Sequence, residues 1–160
     1  MKKHLATILV SIFALQLALF VSCGEIEGTG YELCFDVDNP SCTSSTVSDY
    51  FAISNIKTIY DDHTYLKLQA VQDLKWSGVT FDKETCYLCD TDNPNLKYYL
   101  IQVSGENTLT LGQEYELTCY KDGVFVFEFD FIPLSTKRVN FYVSEDSDGD
   151  KIEILGIKLH

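Results

Sequence analysis

From Val124 to Leu134 the chain reads Val-Phe-Val-Phe-Glu-Phe-Asp-Phe-Ile-Pro-Leu, with an aromatic side chain at every second position. A period of two places Phe125, Phe127, Phe129 and Phe131 on one face and Val124, Val126, Glu128 and Asp130 on the other. That is the pattern of an antiparallel strand with one buried side. Four phenylalanines on one face need an opposing apolar layer about 10 Å away, which a second sheet supplies more readily than the few helical patterns present. The same alternation predicts strands over 63–71, with Thr64, Leu66, Leu68 and Ala70 inward, and over 97–104, with Tyr99, Ile101 and Val103 inward. It recurs at Val139, Phe141 and Val143, and at Ile152, Ile154, Ile157 and Leu159, where Gly156 predicts a bulge.

Shorter strands are predicted over 31–37, 79–81 and 85–89, and a longer one over 50–60 with a bulge between Ile53 and Ile56. Trp76-Ser77-Gly78 reads as a connection whose tryptophan closes the edge of the core. Tyr115 to Tyr120 is predicted to pair with the phenylalanine strand across Lys121-Asp122-Gly123. A three-residue loop with Gly123 left-handed aligns Cys119, Leu117 and Tyr115 with Phe125, Phe127 and Phe129, whereas a two-residue loop would set Thr118 and Glu116 against the rings. The fold class is therefore all-β: a single immunoglobulin-like antiparallel β-sandwich of eight to nine strands over residues 31–160.

The first 22 residues do not fit this alternation. Met1-Lys2-Lys3-His4 is basic, and the 17 residues from Leu5 to Val21 are apolar apart from Thr7, Ser11 and Gln16. This is the layout of a secretory signal, and the run is short for a membrane span and has no basic flank to stop transfer. Leu19-Phe20-Val21-Ser22-Cys23 resembles the lipobox of bacterial lipoproteins, with Phe20 where leucine is common. The resemblance implies a signal peptide over 1–22, acylation of Cys23, and a partner in the membrane reached through that lipid. Two or more acyl chains, each contributing about 0.8 kcal/mol per buried CH₂, hold a protein stably on a bilayer. Residues 23–30, polar and glycine-rich, read as a flexible tether.

Charge narrows the partners. Removing residues 1–22 takes Lys2 and Lys3 from the 12 basic residues and none from the 24 acidic ones, moving the net charge from −12 to −14. Such a surface repels phosphate backbones and anionic headgroups, so no nucleic acid is expected, and attachment to the membrane falls to the lipid.

Five cysteines remain beyond Cys23, and in an oxidising envelope most should pair. Cys34 and Cys42 flank a proline-containing turn and form the local candidate. Cys86 and Cys119 both face inward in the register above and form an inter-sheet candidate, which leaves Cys89. Cys86-Tyr87-Leu88-Cys89 has the spacing of a redox pair or half a zinc site, but residues three apart on a strand face opposite sides. The acidic runs at 36–39, 90–93 and 145–150 read as solvated turns. The last departs from a calcium loop, because Leu155 stands where the bidentate glutamate belongs. His63 and His160 lie in no zinc or triad motif, and no nucleophile elbow or phosphate loop occurs. No metal site, cofactor or catalytic residue is expected.

The run Asn55-Ile56-Lys57, Thr64-Tyr65-Leu66, Tyr87-Leu88, Tyr98-Tyr99, Phe129-Asp130-Phe131-Ile132-Pro133-Leu134, Thr136-Lys137, Phe141 and Gly156-Ile157-Lys158-Leu159 resembles a β-sandwich domain of Bacteroidetes-type lipoproteins. Ser135 stands where that family often has proline and Asn140 where it often has aspartate. The family's domain stands alone or precedes a thioredoxin-like domain in thiol-disulfide interchange proteins. The resemblance covers about residues 50–159 and implies a non-catalytic module of the outer membrane of a Gram-negative envelope, on its periplasmic or surface-exposed side. The function expected is a non-enzymatic binding or interaction module with an envelope protein or glycan as partner. One alternative is an auxiliary to envelope thiol-disulfide exchange. Another is carbohydrate binding through exposed aromatics, with Tyr65, Trp76, Tyr98 and Tyr142 as candidates.

The Cys23→Ser protein is expected to be unlipidated and to leave the membrane fraction in a high-salt wash; full retention would remove the lipoprotein reading.

Overall fold

The structure, a computed structural model, describes residues 33–60, 62–143 and 152–160. The signal segment, Cys23, the tether and the acidic run at 145–150 lie outside the described residues. Twelve strands are present among the described residues: β1 (Leu33–Asp38), β2 (Ser44–Ser45), β3 (Phe51–Ile59), β4 (His63–Ala70), β5 (Leu74–Thr80), β6 (Tyr87–Asp90), β7 (Lys97–Ser104), β8 (Thr108–Leu109), β9 (Glu114–Cys119), β10 (Val124–Asp130), β11 (Arg138–Val143) and β12 (Ile152–Lys158). Every pairing is antiparallel. The fold is all-β, as the alternation requires, and it exceeds the eight or nine strands expected mainly through β2 and β8, which are two residues each.

The layers are two halves of one curled sheet, ordered β1-β3-β4-β10-β7-β6-β11-β12-β2. The bend lies at β7. Its first residues pair with β6, with Tyr99 opposite Tyr87, and its later ones pair with β10, with Val103 opposite Phe127. Between them the register slips: Gln102 faces Glu128 but Leu100 faces Phe129, so Ile101 is an extra residue. A bulge of this kind bends a strand and reverses which side chains point inward. Tyr98, Leu100 and Val103 are therefore buried, and the expected inward positions of Tyr99 and Ile101 are corrected. The carboxylate of Asp130 ties the corner by accepting the Tyr99 backbone N–H at 2.9 Å.

The phenylalanine strand also has different neighbours from those expected. β10 pairs with β4, with Phe127 opposite Leu66 and Phe125 opposite Leu68, and with β7, while β9 pairs only with β5. The 120–123 turn is an arch between layers. Its left-handed residue is Asp122, at φ 67°, and Gly123 is not among the positive-φ residues. Gly123 extends the β10–β4 ladder by accepting the Ala70 N–H at 2.8 Å. Leu66 and Leu68 offer the rings the same apolar partners that Leu117 and Cys119 would, so alternation could not separate the two pairings.

The β5–β9 ribbon instead lies over the core, with Leu117, Trp76 and Val79 facing Phe125 and Phe127 around an apolar void of ≈ 30 Å³. Trp76 packs edge-on against Phe51 at 5.4 Å and Tyr50 at 6.0 Å, closing the core as its position suggested. The predicted bulges hold: the β3–β4 register shifts between Ile53 and Asn55, and the β11–β12 register shifts opposite Gly156. Gly156 has φ 66°, and a Cβ there would collide with Oγ1 of Thr43, so both backbone and neighbour require glycine.

Across the bend, Phe127 and Phe129 meet Phe141 of β11 at 5.2 and 5.9 Å, and Phe129 and Phe141 are fully buried. Phe129→Ala is expected to cost about 3–5 kcal/mol because neither layer can close over the missing ring. Glu116→Ala, on the exposed side of β9, should cost about 0.5 kcal/mol or less. Urea melts of the two variants test this contrast; equal stability would show that the aromatic contact does not hold the layers together.

Candidate functional site

Each predicted sulfur has a defined place. β1 carries the chain about 13 Å from Cys34 to Asp38 before it turns. Residues 41–46 then run along β12, where Ser41 accepts the Lys158 N–H at 2.9 Å and the Thr43 N–H bonds to Leu155 at 2.7 Å. A disulfide needs Cα atoms within about 7 Å, so this crossing takes Cys42 away from Cys34. Cys42 is an exposed thiol, and the Cys34–Cys42 bridge is not formed. Cys86 and Cys119 are buried thiols and are not bridged to each other either. The register that aligned Cys119 with the core face of β10 does not exist, since β9 belongs to the ribbon, where the Cys119 thiol donates to the Tyr120 carbonyl at 3.5 Å.

Cys86 and Cys89 do face opposite sides, one with Leu88 toward the core and the other with Tyr87. Both are nonetheless buried. Burial pushes the Cys86 thiol far above its ordinary pKa. It also raises Cys89, partly offset by hydrogen bonding to Asn140, and it raises Cys119, helped by the charges of Glu106 and Asp73. Thiol exchange requires an accessible thiolate, and all three sites disfavour it.

The acidic turns serve the backbone and neighbouring amides. Asn55 Nδ2 donates to the carboxylates of Asp36 and Asp38, and Asp90 accepts the Asp92 N–H at 2.7 Å. Among the described residues no group of three or more His, Cys, Asp or Glu side chains is placed to hold a metal. His63 Nδ1 lies 2.7 Å from Glu128 and 3.1 Å from Asp62, on the outer face of the first layer.

What the fold assembles is an aromatic row on the outer face of the second layer. Tyr99 on β7, Tyr87 on β6 and Tyr142 on β11 are direct cross-strand partners. Their ring centroids are 6.4 and 5.3 Å apart, and Lys97 Nζ sits 4.0 Å above Tyr87. Two residues along the same strands, on the same face, come Lys97, Cys89 and Asn140. Asn140 holds the β12 bulge by accepting the Gly156 N–H at 2.8 Å. Beyond it an open polar cleft of ≈ 460 Å³ is lined by Thr91, Asp92, Lys137, Arg138 and Asn140. Arg138 faces Lys158 across the β11–β12 ladder, both exposed.

Of the aromatics proposed from sequence, only Tyr142 belongs to this row. Tyr98 is buried, its hydroxyl 3.1 Å from Thr136, which in turn donates to Asp90 at 3.3 Å. Trp76 is in the core rim, and Tyr65 lies on the other layer beneath Lys57. Tyr99 was expected inward and Tyr87 was not singled out, although the alternation that turns Leu88 into the core turns Tyr87 out of it. Comparison with protein-family models, characterised proteins and solved structures finds no match.

Alkylation of the folded protein is expected to modify Cys42 readily and Cys86 only on unfolding; fast native labelling of Cys86 would restore the exchange reading. The raised thiols stay neutral in the folded state, so their contribution to stability is complete below their ordinary value of 9.0 and is lost as pH rises above it. Cys86→Ala should flatten that alkaline decline by up to about 1.4 kcal/mol per pH unit, measured by urea melts above pH ~9. An unchanged slope would mean that Cys86 ionises normally.

Proposed function

We propose that the protein is a lipid-anchored, non-enzymatic binding module of the bacterial cell envelope that takes a saccharide on the outer face of its second layer. In this reading Cys23 carries the lipid, residues 23–30 lift the domain off the outer membrane, and the β-sandwich of the resembled lipoprotein family presents the ligand face. One observation carries it: three tyrosines aligned across three adjacent strands, Tyr99 exposed and Tyr87 and Tyr142 half-buried. Tyrosine offers an apolar ring that packs on the C–H faces of a sugar and a hydroxyl that bonds its oxygens, at low conformational cost. The neighbouring cleft adds hydroxyl, amide and charged groups, which is the mixture that orients a polar ligand. The thiol-exchange alternative has less support, since burial of Cys86, Cys89 and Cys119 disfavours the thiolate it needs.

A glycan array probed with the detergent-solubilised lipoprotein is expected to give a signal that falls at least tenfold in Tyr87→Ala/Tyr142→Ala. It should persist in Tyr120→Ala, an exposed tyrosine elsewhere. A signal indifferent to the paired substitution, or none at all, would remove the saccharide reading.

A further inference from the structure

Basic residues are scarce in this chain, 12 against 24 acidic ones, yet four of them gather on the one face that carries the tyrosine row. Lys97 lies over Tyr87. Arg138 and Lys158 are opposite each other on β11 and β12, and Lys137 lines the cleft beside Arg138. None of the four makes an ion pair among the described residues, where the only pairs involve His63 and Lys75. The acids nearby are mostly engaged: Asp130 holds the Tyr99 N–H, and Asp90 accepts from the Asp92 N–H and the Thr136 hydroxyl. Asp92 and Glu153 are the remaining carboxylates there among the described residues, the first in the cleft and the second beside Tyr142.

Arg138 and Lys158 stand side by side on an exposed ladder with no carboxylate within ion-pair distance among the described residues, which favours an anion that also makes short-range contacts. The short-range contacts available are aromatic rings and polar donors. Building on the saccharide reading, we propose that the ligand is a carboxylate-bearing oligosaccharide lying across the strands. Its sugar faces pack on Tyr99 and Tyr142, and its carboxylates meet Lys97, which sits over Tyr87, and Arg138 and Lys158 beside the cleft. Arg138 presents the planar fork that matches a carboxylate, and Lys158 and Lys97 supply point charges.

The test measures binding of the detergent-solubilised lipoprotein to oligogalacturonate and to cellohexaose, by calorimetry at low and high salt. Oligogalacturonate is expected to bind more tightly, to weaken as salt is raised, and to lose at least tenfold in Arg138→Gln/Lys158→Gln, whose exposed positions leave the fold intact by thermal melt. Cellohexaose binding equal to that of oligogalacturonate, with the glutamine variant unchanged, would overturn the acidic-ligand inference while leaving the tyrosine face as a saccharide site. Failure of both sugars to bind would overturn the site itself. Binding of phosphatidylglycerol vesicles by the unlipidated Cys23→Ser protein, abolished by the same glutamine pair and unaffected by oligogalacturonate, would assign the cations to a lipid headgroup and reject the proposal.

Discussion

The packing of Phe127 and Phe129 against Phe141 is the contact on which the rest of the architecture depends. It joins the two halves of a continuous sheet that would otherwise be an open, curling ribbon with one apolar side in water. Phe127 touches Phe81 as well, at 5.6 Å, and so also engages the segment that leads away from the β5–β9 ribbon. A second aromatic chain, Trp76 to Phe51 to Phe125, secures the far end of the same face. Rings in edge-to-face contact are directional, which favours one relative placement of the layers over a loose hydrophobic collapse.

That placement constrains β7. A strand shared by both halves must bend where one half ends, and the extra residue Ile101 provides the bend while the Asp130 carboxylate replaces the hydrogen bond that the divergence removes. The same bend turns Tyr99 out of the core, and the β6–β7 and β6–β11 registers then bring it into line with Tyr87 and Tyr142. The candidate ligand face is thus a consequence of how the core closes. It stands on strands held on both sides, where side chains keep their spacing better than on loops.

The sulfur chemistry runs the other way. Cys86, Cys89 and Cys119 are all buried, Cys86 and Cys119 in the core and Cys89 beneath the outer face, and exclusion of water is the first cause of their raised pKa values. A function built on them would have to open the fold. A function built on the tyrosine row and its cations needs no rearrangement, which is why the surface carries the proposed role.

Most strand positions, the inward sides of β4 and β10, the bulges at Ile53–Asn55 and Gly156, and the all-β class were legible in the sequence, whereas Trp76-Ser77-Gly78, expected as a connection, lies within β5 and pairs with β9. Each legible feature follows from a local rule, since alternation, β-branched residues and a lone glycine act within a few residues of chain. Which strands pair was not legible: β10 found Leu66 and Leu68 of β4, and the near neighbour Leu117 of β9 moved into the opposing ribbon, because both sets present the same apolar pattern. The reversal at Ile101, the left-handed turn at Asp122 and the separation of Cys42 from Cys34 were equally hidden, since each depends on where a chain segment goes after it leaves its strand. Of the site, Tyr142 could be named and the basic residues counted. Only the tertiary structure aligned Tyr87, Tyr99, Arg138 and Lys158 with it, because cross-strand neighbourhood is a property of register and register is decided by the whole core.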